Sequence, residues 1–392
     1  MTQPLRVLAL THTAISESCT FVRSLTPLQA LRSMGLVEYE LLHLMPWNVG
    51  AIRHTLRTLD QWDLIWISRP RHYFMLPIIR AARQLSKPVL VDIDDWLLDV
   101  PADHVDADFY RMRPRRETIR TALRAADAIT TSTHVIADRC AALGTRVHIL
   151  PNAIDTTQFV RLPRAEHAPL AVAFCGTPSH QDDVPLIAPA LRRLLSERQD
   201  RVRVISVGCP IPDLAGAEGY THHDFIDAPL YPRFLSELRI DVGLAPLQDT
   251  LFNAAKSDIK YLEYAATGAA TIASPVTPYL AAIRPDRGVI VDANTPALWT
   301  AALHDMIAEA PGREHLAARA YEWVRAERSI EVTAMKWYTL FRQYVDEPGM
   351  RTAPGTRQLD PGVFERVMVN IMVRQTPYDM RQLQRRFIES HR

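Results

Sequence analysis

Cysteine is scarce: Cys19, Cys140, Cys175 and Cys209 are the only four in 392 residues, with no CxxC pair and no spacing that suits a metal. That argues against a disulfide framework or a zinc motif, and free thiols in a reducing cytoplasm are expected. Long hydrophobic runs are absent too. No stretch of about 18 uncharged apolar residues occurs, so nothing in the sequence reads as spanning a bilayer. The opening MTQPLRVLALTHT lacks the charged region, long apolar core and cleavage site of a secretory signal. Neither sign of charge dominates: 45 Lys and Arg stand against 44 Asp and Glu, a formal net charge of +1. This removes any global argument for nucleic acid or an anionic membrane as partner, while a local, peripheral contact with the inner face of a membrane stays open. Neither an internal repeat nor a low-complexity tract is visible.

What is present is a 47% apolar chain long enough to favour two domains. Short apolar runs alternate with helical patterns: LRVLALT (5–11), DLIWIS (63–68), PVLVDI (88–93), AITTS (128–132) and RVHILP (146–151). Between them PLQALRSMG (27–35) and MLPIIRAARQLS (75–86) carry helix-period apolar positions, with Gly35 as a stop. This is the rhythm of βαβ units and a parallel sheet. After a polar, proline-punctuated stretch (152–169), a second series follows: LAVAFCG (170–176), RVRVISVG (201–208), IDVGLAP (240–246), ATIAS (270–274) and GVIVD (288–292). Two Rossmann-like halves joined by a linker fit this order. A helical segment (329–347) and a tail with an amphipathic pattern and a basic end close the chain.

The stretch FNAAKSDIKYLEYAATG (252–268) sets Lys256, Lys260 and Glu263 at spacings of four and three. They share one face if a helix starts near Asn253 or Ala254. Its unpaired N–H groups would then lie at the carboxyl edge of a parallel sheet, where anions bind. Lys256 in the first turn opposes the helix dipole, which hints at an anionic ligand, and Glu263 can accept from sugar hydroxyls. The alternative is a solvated face with Glu263 paired to Lys260. AFCGTPSHQDD (173–183) has the strand, glycine turn and helix of a phosphate loop, but with one glycine, which also ends strands for steric reasons. His180 can donate to a phosphate or cap the following helix beside Asp182 and Asp183.

In VDIDDWLLDVP (91–101), Asp92, Asp94, Asp95 and Asp99 crowd a strand end. They can take a hard cation, act as base, bind hydroxyls or cap the next helix. SRPRHYF (68–74) offers Arg69, Arg71 and His72, either to neutralise those carboxylates or to meet an anionic substrate. The most basic stretch, RMRPRRETIRTALR (111–124), reads first as a solvated helix face balanced by Glu117 and the aspartates at 103, 106 and 108. A phosphate-bearing acceptor, a membrane surface or a nucleic acid is its other reading.

The order of these pieces carries a resemblance. ADAITTSTHVIADRCAALGTRVHILPNAIDTTQF (126–159), then FCGTPSHQDD, then APLQDTLFNAAKSDIKYLEYAATGAATIAS, resembles the retaining nucleotide-sugar glycosyltransferases of the GT-B fold, specifically glycosyltransferase family 4, over roughly residues 5 to 345. The resemblance implies two Rossmann-like domains facing across a cleft, 1–158 for the acceptor and 169–328 for the donor. It also implies a helix (329–347) crossing back to the N-terminal domain, followed by a helical extension (348–392).

The implied donor is a nucleoside-diphosphate sugar, with UDP or GDP as carrier and no cofactor or metal. Gly176 and Thr177 would lie against its pyrophosphate and Lys256 would neutralise it, with His180, Asn253 and Ser257 alongside. Glu263, matching the second glutamate of the family's Glu-x7-Glu motif, would bind the ribose. Asp92, Asp94 or Asp95 would orient the acceptor hydroxyl, with Arg23, Arg69, Arg71 and His72 lining the acceptor side. Ala255 stands where the motif's first glutamate is expected, and Asn253 or Asp249 is the expected substitute. The Arg and Lys pair common in the first C-terminal-domain loop is missing, and ISESCTFVRS (15–24) replaces the N-terminal Gly-Gly loop. Three rivals remain: a sugar-nucleotide 2-epimerase, a non-catalytic partner that binds nucleotide or glycan, and a nucleic-acid glycosyltransferase.

Overall fold

The computed structural model describes residues 3–162, 169–198, 201–347 and 349. The extension read over 348–392 lies outside them apart from Gly349. Among the described residues no helix is long and apolar enough to cross a membrane.

The first apolar series makes a sheet of β1 (Leu5–Thr11), β2 (Val37–His43), β3 (Leu64–Ser68), β4 (Val89–Ile93), β5 (Ala128–Thr131) and β6 (Arg146–Ile149), ordered β2-β1-β3-β4-β5-β6. The second makes β7 (Leu170–Cys175), β8 (Val202–Val207), β9 (Tyr220–His223), β10 (Val242–Ala245), β11 (Ala270–Ala273) and β12 (Val289–Ile290), ordered β12-β11-β10-β7-β8-β9. Every neighbouring pair is parallel. Both faces of a parallel sheet are covered by helices, which is why the central strands LIWIS and VLVDI are buried at every position. Alternation still sorts their faces. Leu8, Leu10, Ile65 and Ile67 join one apolar cluster, whereas Val7, Ala9, Leu64 and Trp66 join another.

Two strands escape the apolar-run reading. The β2 sequence VEYELLH and the β9 sequence YTHH are polar because both are edge strands, each paired on one side only.

The helix Ile330–Asp346 leaves the second half and packs on the first sheet. Its Ile330, Ala334, Trp337, Phe341 and Tyr344 bury against the Val7, Ala9 and Trp66 side, and Trp337 meets Trp66 edge to face with ring centroids 5.5 Å apart. The chain passes between the two halves at Ile154 and again at Ser329, and these two crossings hydrogen-bond to each other: Ile154 N–H donates to Arg328 O (3.1 Å) and Ile330 N–H to Ile154 O (2.8 Å). Beside them Arg328 grips Asp258 through two bonds of 2.7 and 2.8 Å and donates to Asn152 O. This bidentate pair locks the crossing to the segment that carries Lys256 and Glu263.

Candidate functional site

Ligands in doubly wound sheets sit beyond the carboxyl ends of the strands, at the point where strand order reverses. In the first sheet that point lies between β1 and β3, and in the second between β7 and β10. The two edges face each other across one cleft. Ser18, Cys19 and Arg69 line it from the first sheet, with Asp94 and Asp95 after β4. Gly176, Thr177, Gly208 and Leu247 line it from the second.

On the second-sheet side the loops after β7 and β8 touch. A Cβ on Gly208 would fall 2.5 Å from Gly176 O, and its φ of +76° is left-handed, so glycine is required for this close approach. The carrier of Lys260 and Glu263 is the helix Ile259–Thr267. It docks through Tyr264, whose ring lies on Gly243 of β10 so closely that any Cβ there would overlap it.

The structure corrects where this helix begins. The expectation of a start near Asn253 fails because Asn253–Ala255 forms a single 3-10 turn, with Phe252 and Ala255 packed into the apolar core of the first half. Lys256 is extended, and the helix begins at Ile259. Lys256, Ser257, Lys260 and Glu263 nevertheless all line the cleft, together with Gly176, Thr177 and His180. Asn253 does not. Its amide donates to Gln248 O (3.0 Å), so neither it nor the buried Ala255 presents a group to the cleft.

His180 is held between two neighbours. Its Nδ1 lies 2.8 Å from Asp183 Oδ2, and its Nε2 lies 3.1 Å from Lys260 Nζ. Burial, then the cationic Lys260 and Lys256, hold the imidazole well below its ordinary pKa, so it is neutral and accepts from the ammonium. Asp183 in turn accepts the Gln248 N–H (2.8 Å); burial lifts its carboxyl to about 6 despite that bond. Burial also lifts Glu263 to about 7, opposed by Lys260. Lys260 is pulled down by burial and held up chiefly by Glu263. Asp183 and Gly208 had no role in the sequence reading, and Lys260 was placed on the shared face without one. The glycine that ends RVRVISVG is the signal for Gly208; Asp183 offered none beyond proximity to His180.

On the first-sheet side the structure separates the candidates. Arg69 has a left-handed φ of +48° and donates to Asp94 Oδ1 and Asp95 Oδ2, both at 2.5 Å. All three line the cleft. Burial outweighs Arg69 at Asp94 and raises its carboxyl; at Asp95 burial is overcome by Arg69 and then Lys256, which hold it down.

Asp92 is a correction: it is fully buried, accepts from Arg23 (2.6 and 3.2 Å) and Thr130 (2.7 Å), and offers no free oxygen to an acceptor. Arg23 lines the cleft wall, but its guanidinium is spent on Asp92, Leu150 O and Asn152. His72 and Arg71 are corrected as well. Arg71 donates to His12 O (2.8 Å), and His72 is 1% exposed, stacks on Phe74 and lies 2.6 Å from Arg115 Nη1. Neither lines the cleft, because both serve the packing behind it. Of the basic stretch, Arg115 is therefore core, while Arg120 pairs with Glu117 at 2.8 Å as the solvated-face reading expects.

No protein-family model and no curated protein sequence matches the chain. Solved structures do. HepE from Anabaena, in complex with UDP and glucose, superposes with a TM-score of 0.64 at 11% identity, covering 86% of this chain and 100% of that one. Sucrose-phosphate synthase from Thermosynechococcus elongatus gives 0.63 at 13% identity, covering 86% and 98%. A putative UDP-N-acetylglucosamine 2-epimerase from Listeria monocytogenes gives 0.57 at 11% identity, covering 91% and 100%. At such identities the likeness speaks for architecture: the chain has the GT-B fold, two Rossmann-like domains facing across a cleft with the helix Ile330–Asp346 returning to the first.

Proposed function

We propose that the protein is a retaining glycosyltransferase that moves a sugar from a nucleoside-diphosphate sugar to an acceptor hydroxyl in the cleft. The observation that carries the reading is the convergence of Lys256, Lys260, Glu263 and the paired glycine turns at the β7/β10 switch point. Cations and close backbone suit a diphosphate, and a carboxylate on the next helical turn suits the hydroxyls of a ribose. Similar structures, one in complex with UDP and glucose, one in complex with UDP-glucose and one named a glycosyltransferase, support the same donor class.

The barrier to transfer is charge on the leaving group. As the bond from the anomeric carbon to the phosphate oxygen breaks, its electron pair moves onto the diphosphate. Lys256 and backbone N–H groups around Gly176 offset that charge. The acceptor oxygen attacks from the same face and passes its proton to the departing phosphate oxygen, which gives retention. Asp94 and Asp95, fixed by Arg69, orient the acceptor hydroxyl at the opposite wall.

Thermal stabilisation by a panel of nucleoside diphosphates tests the donor half, because a ligand bound only to the native state raises its apparent stability. Glu263→Ala should abolish the shift; unchanged nucleotide affinity in that variant removes Glu263 from the site. The epimerase-like structure keeps a second reading in play, and turnover of the nucleotide sugar with no acceptor present would select it.

A further inference from the structure

Lys260 is 9% exposed, and among the described residues its ammonium has one hydrogen-bond partner, the neutral His180 at 3.1 Å; Glu263 and Asp183 favour its charge through space without bonding to it. An ammonium has three donors. Burying that charge against a neutral acceptor is costly unless an anion completes the shell. The unfilled side is the cleft, where Lys260 lies among Gly176, Thr177, Ser179 and Lys256.

The partner that aims it is itself pinned. His180 cannot rotate without breaking its bond to Asp183, and Asp183 cannot shift without losing the Gln248 N–H of the loop after β10. Gly176 leaves the space that the imidazole occupies, since a Cβ there would press on the His180 side chain at 3.3 Å. The three elements that meet at the switch point, namely the loop after β7, the loop after β10 and the helix Ile259–Thr267, are thus joined through one imidazole.

We propose that His180, clamped by Asp183, is a positioning residue that holds Lys260 as the second cation of a phosphoryl-anion site, beside Lys256. The inference rests on the nucleotide-sugar reading and sharpens it: Lys256 and Lys260 share the diphosphate, and Glu263 takes the remainder of the donor.

Calorimetric titration with three probes separates the parts: inorganic pyrophosphate, the nucleoside diphosphate that stabilises the protein most, and the matching nucleoside. Lys260→Met should weaken pyrophosphate and nucleoside diphosphate about tenfold or more and leave the nucleoside within about twofold. His180→Phe should reproduce the diphosphate loss in part, and His180→Gln, which restores an acceptor, should recover affinity. Pyrophosphate binding unchanged in Lys260→Met or His180→Phe overturns the proposal while nucleotide binding to the wild-type protein keeps the donor reading. A wild-type protein that binds neither pyrophosphate nor any nucleoside diphosphate overturns both.

Discussion

Glu263→Gln removes a charge at nearly constant shape, and the structure says how its effect must vary with pH. Burial lifts the Glu263 carboxyl to about 7, from an ordinary value of about 4.3. On the proposed assignment the bound ribose donates to this group, so the bound state needs the carboxylate. Below pH 7 the proton has to leave first, at about 1.4 kcal/mol per pH unit. Affinity for a nucleotide sugar should therefore fall about tenfold between pH 8 and pH 6. A sugar-capped diphosphate, with UDP-glucose and GDP-mannose as the first probes, adds no titrating phosphate oxygen in that window. His180, held far below its usual range, adds nothing either.

In Glu263→Gln the fall between pH 8 and 7 should vanish, leaving the weaker fall near pH 6 that protonation of Asp183 brings, and affinity at pH 8 should drop. The unliganded protein gives an independent sign. A carboxyl whose native pKa is raised ionises first in the unfolded chain, so it disfavours the native state increasingly from about pH 4.5 up to 7. Glu263→Gln should consequently raise the melting temperature more at pH 8 than at pH 5. Titration calorimetry at pH 8 and 6 and scanning fluorimetry at pH 8 and 5 read the two effects. A flat wild-type profile, or the same slope in the variant, refutes the reasoning.

Arg23→Ala should cost about 3–5 kcal/mol in chemical denaturation, because it leaves Asp92 buried with Thr130 as its side-chain donor. Pairing Arg23→Met with Asp92→Asn should recover most of this, and a cost below about 1 kcal/mol for the single change contradicts the buried pair. Gly208→Ala should destabilise by about 1–3 kcal/mol and abolish nucleotide-induced stabilisation, since its Cβ would press on Gly176 O from a left-handed backbone. Intact nucleotide binding there would place the paired turns outside the site. Ala255→Glu, which installs the glutamate that the sequence resemblance leads one to expect, should cost about 3–5 kcal/mol, because position 255 is 1% exposed among apolar neighbours. A stable variant with faster transfer would show that this turn can rebuild itself toward the cleft.

The sequence was most readable where one property decides the structure. LIWIS and VLVDI are apolar and short, and they are central strands. VEYELLH and YTHH pair on one side and face water on the other, so no apolar run marks them. Lys256, Ser257 and Glu263 reach the cleft although the helix starts three residues beyond Lys256, at Ile259. A lysine extended just before a helix and one in its first turn can point the same way. What stayed hidden was the use of charge at long range. Nothing local distinguishes Asp92 from Asp94, yet Asp92 meets Arg23, 69 positions earlier, and is spent, while Asp94 and Asp95 meet Arg69 at the open wall. The same holds for Arg71 and His72, whose partners, His12 and Arg115, lie in other segments.

Phe252 has a bearing on motion. Besides its two covalent crossings, the molecule has a third fastening, the turn whose Phe252 and Ala255 sit in the other lobe's interior. Arg139 and Thr133 secure it through Leu251 O (2.6 Å) and Ala255 O (3.1 Å). Swinging the lobes apart as rigid bodies would withdraw that ring at about 2 kcal/mol and break both bonds. Lys256 and Ser257 follow the turn directly in sequence. Any gaping of the lobes therefore drags on the very segment proposed to grip the donor, which would couple release to shape change.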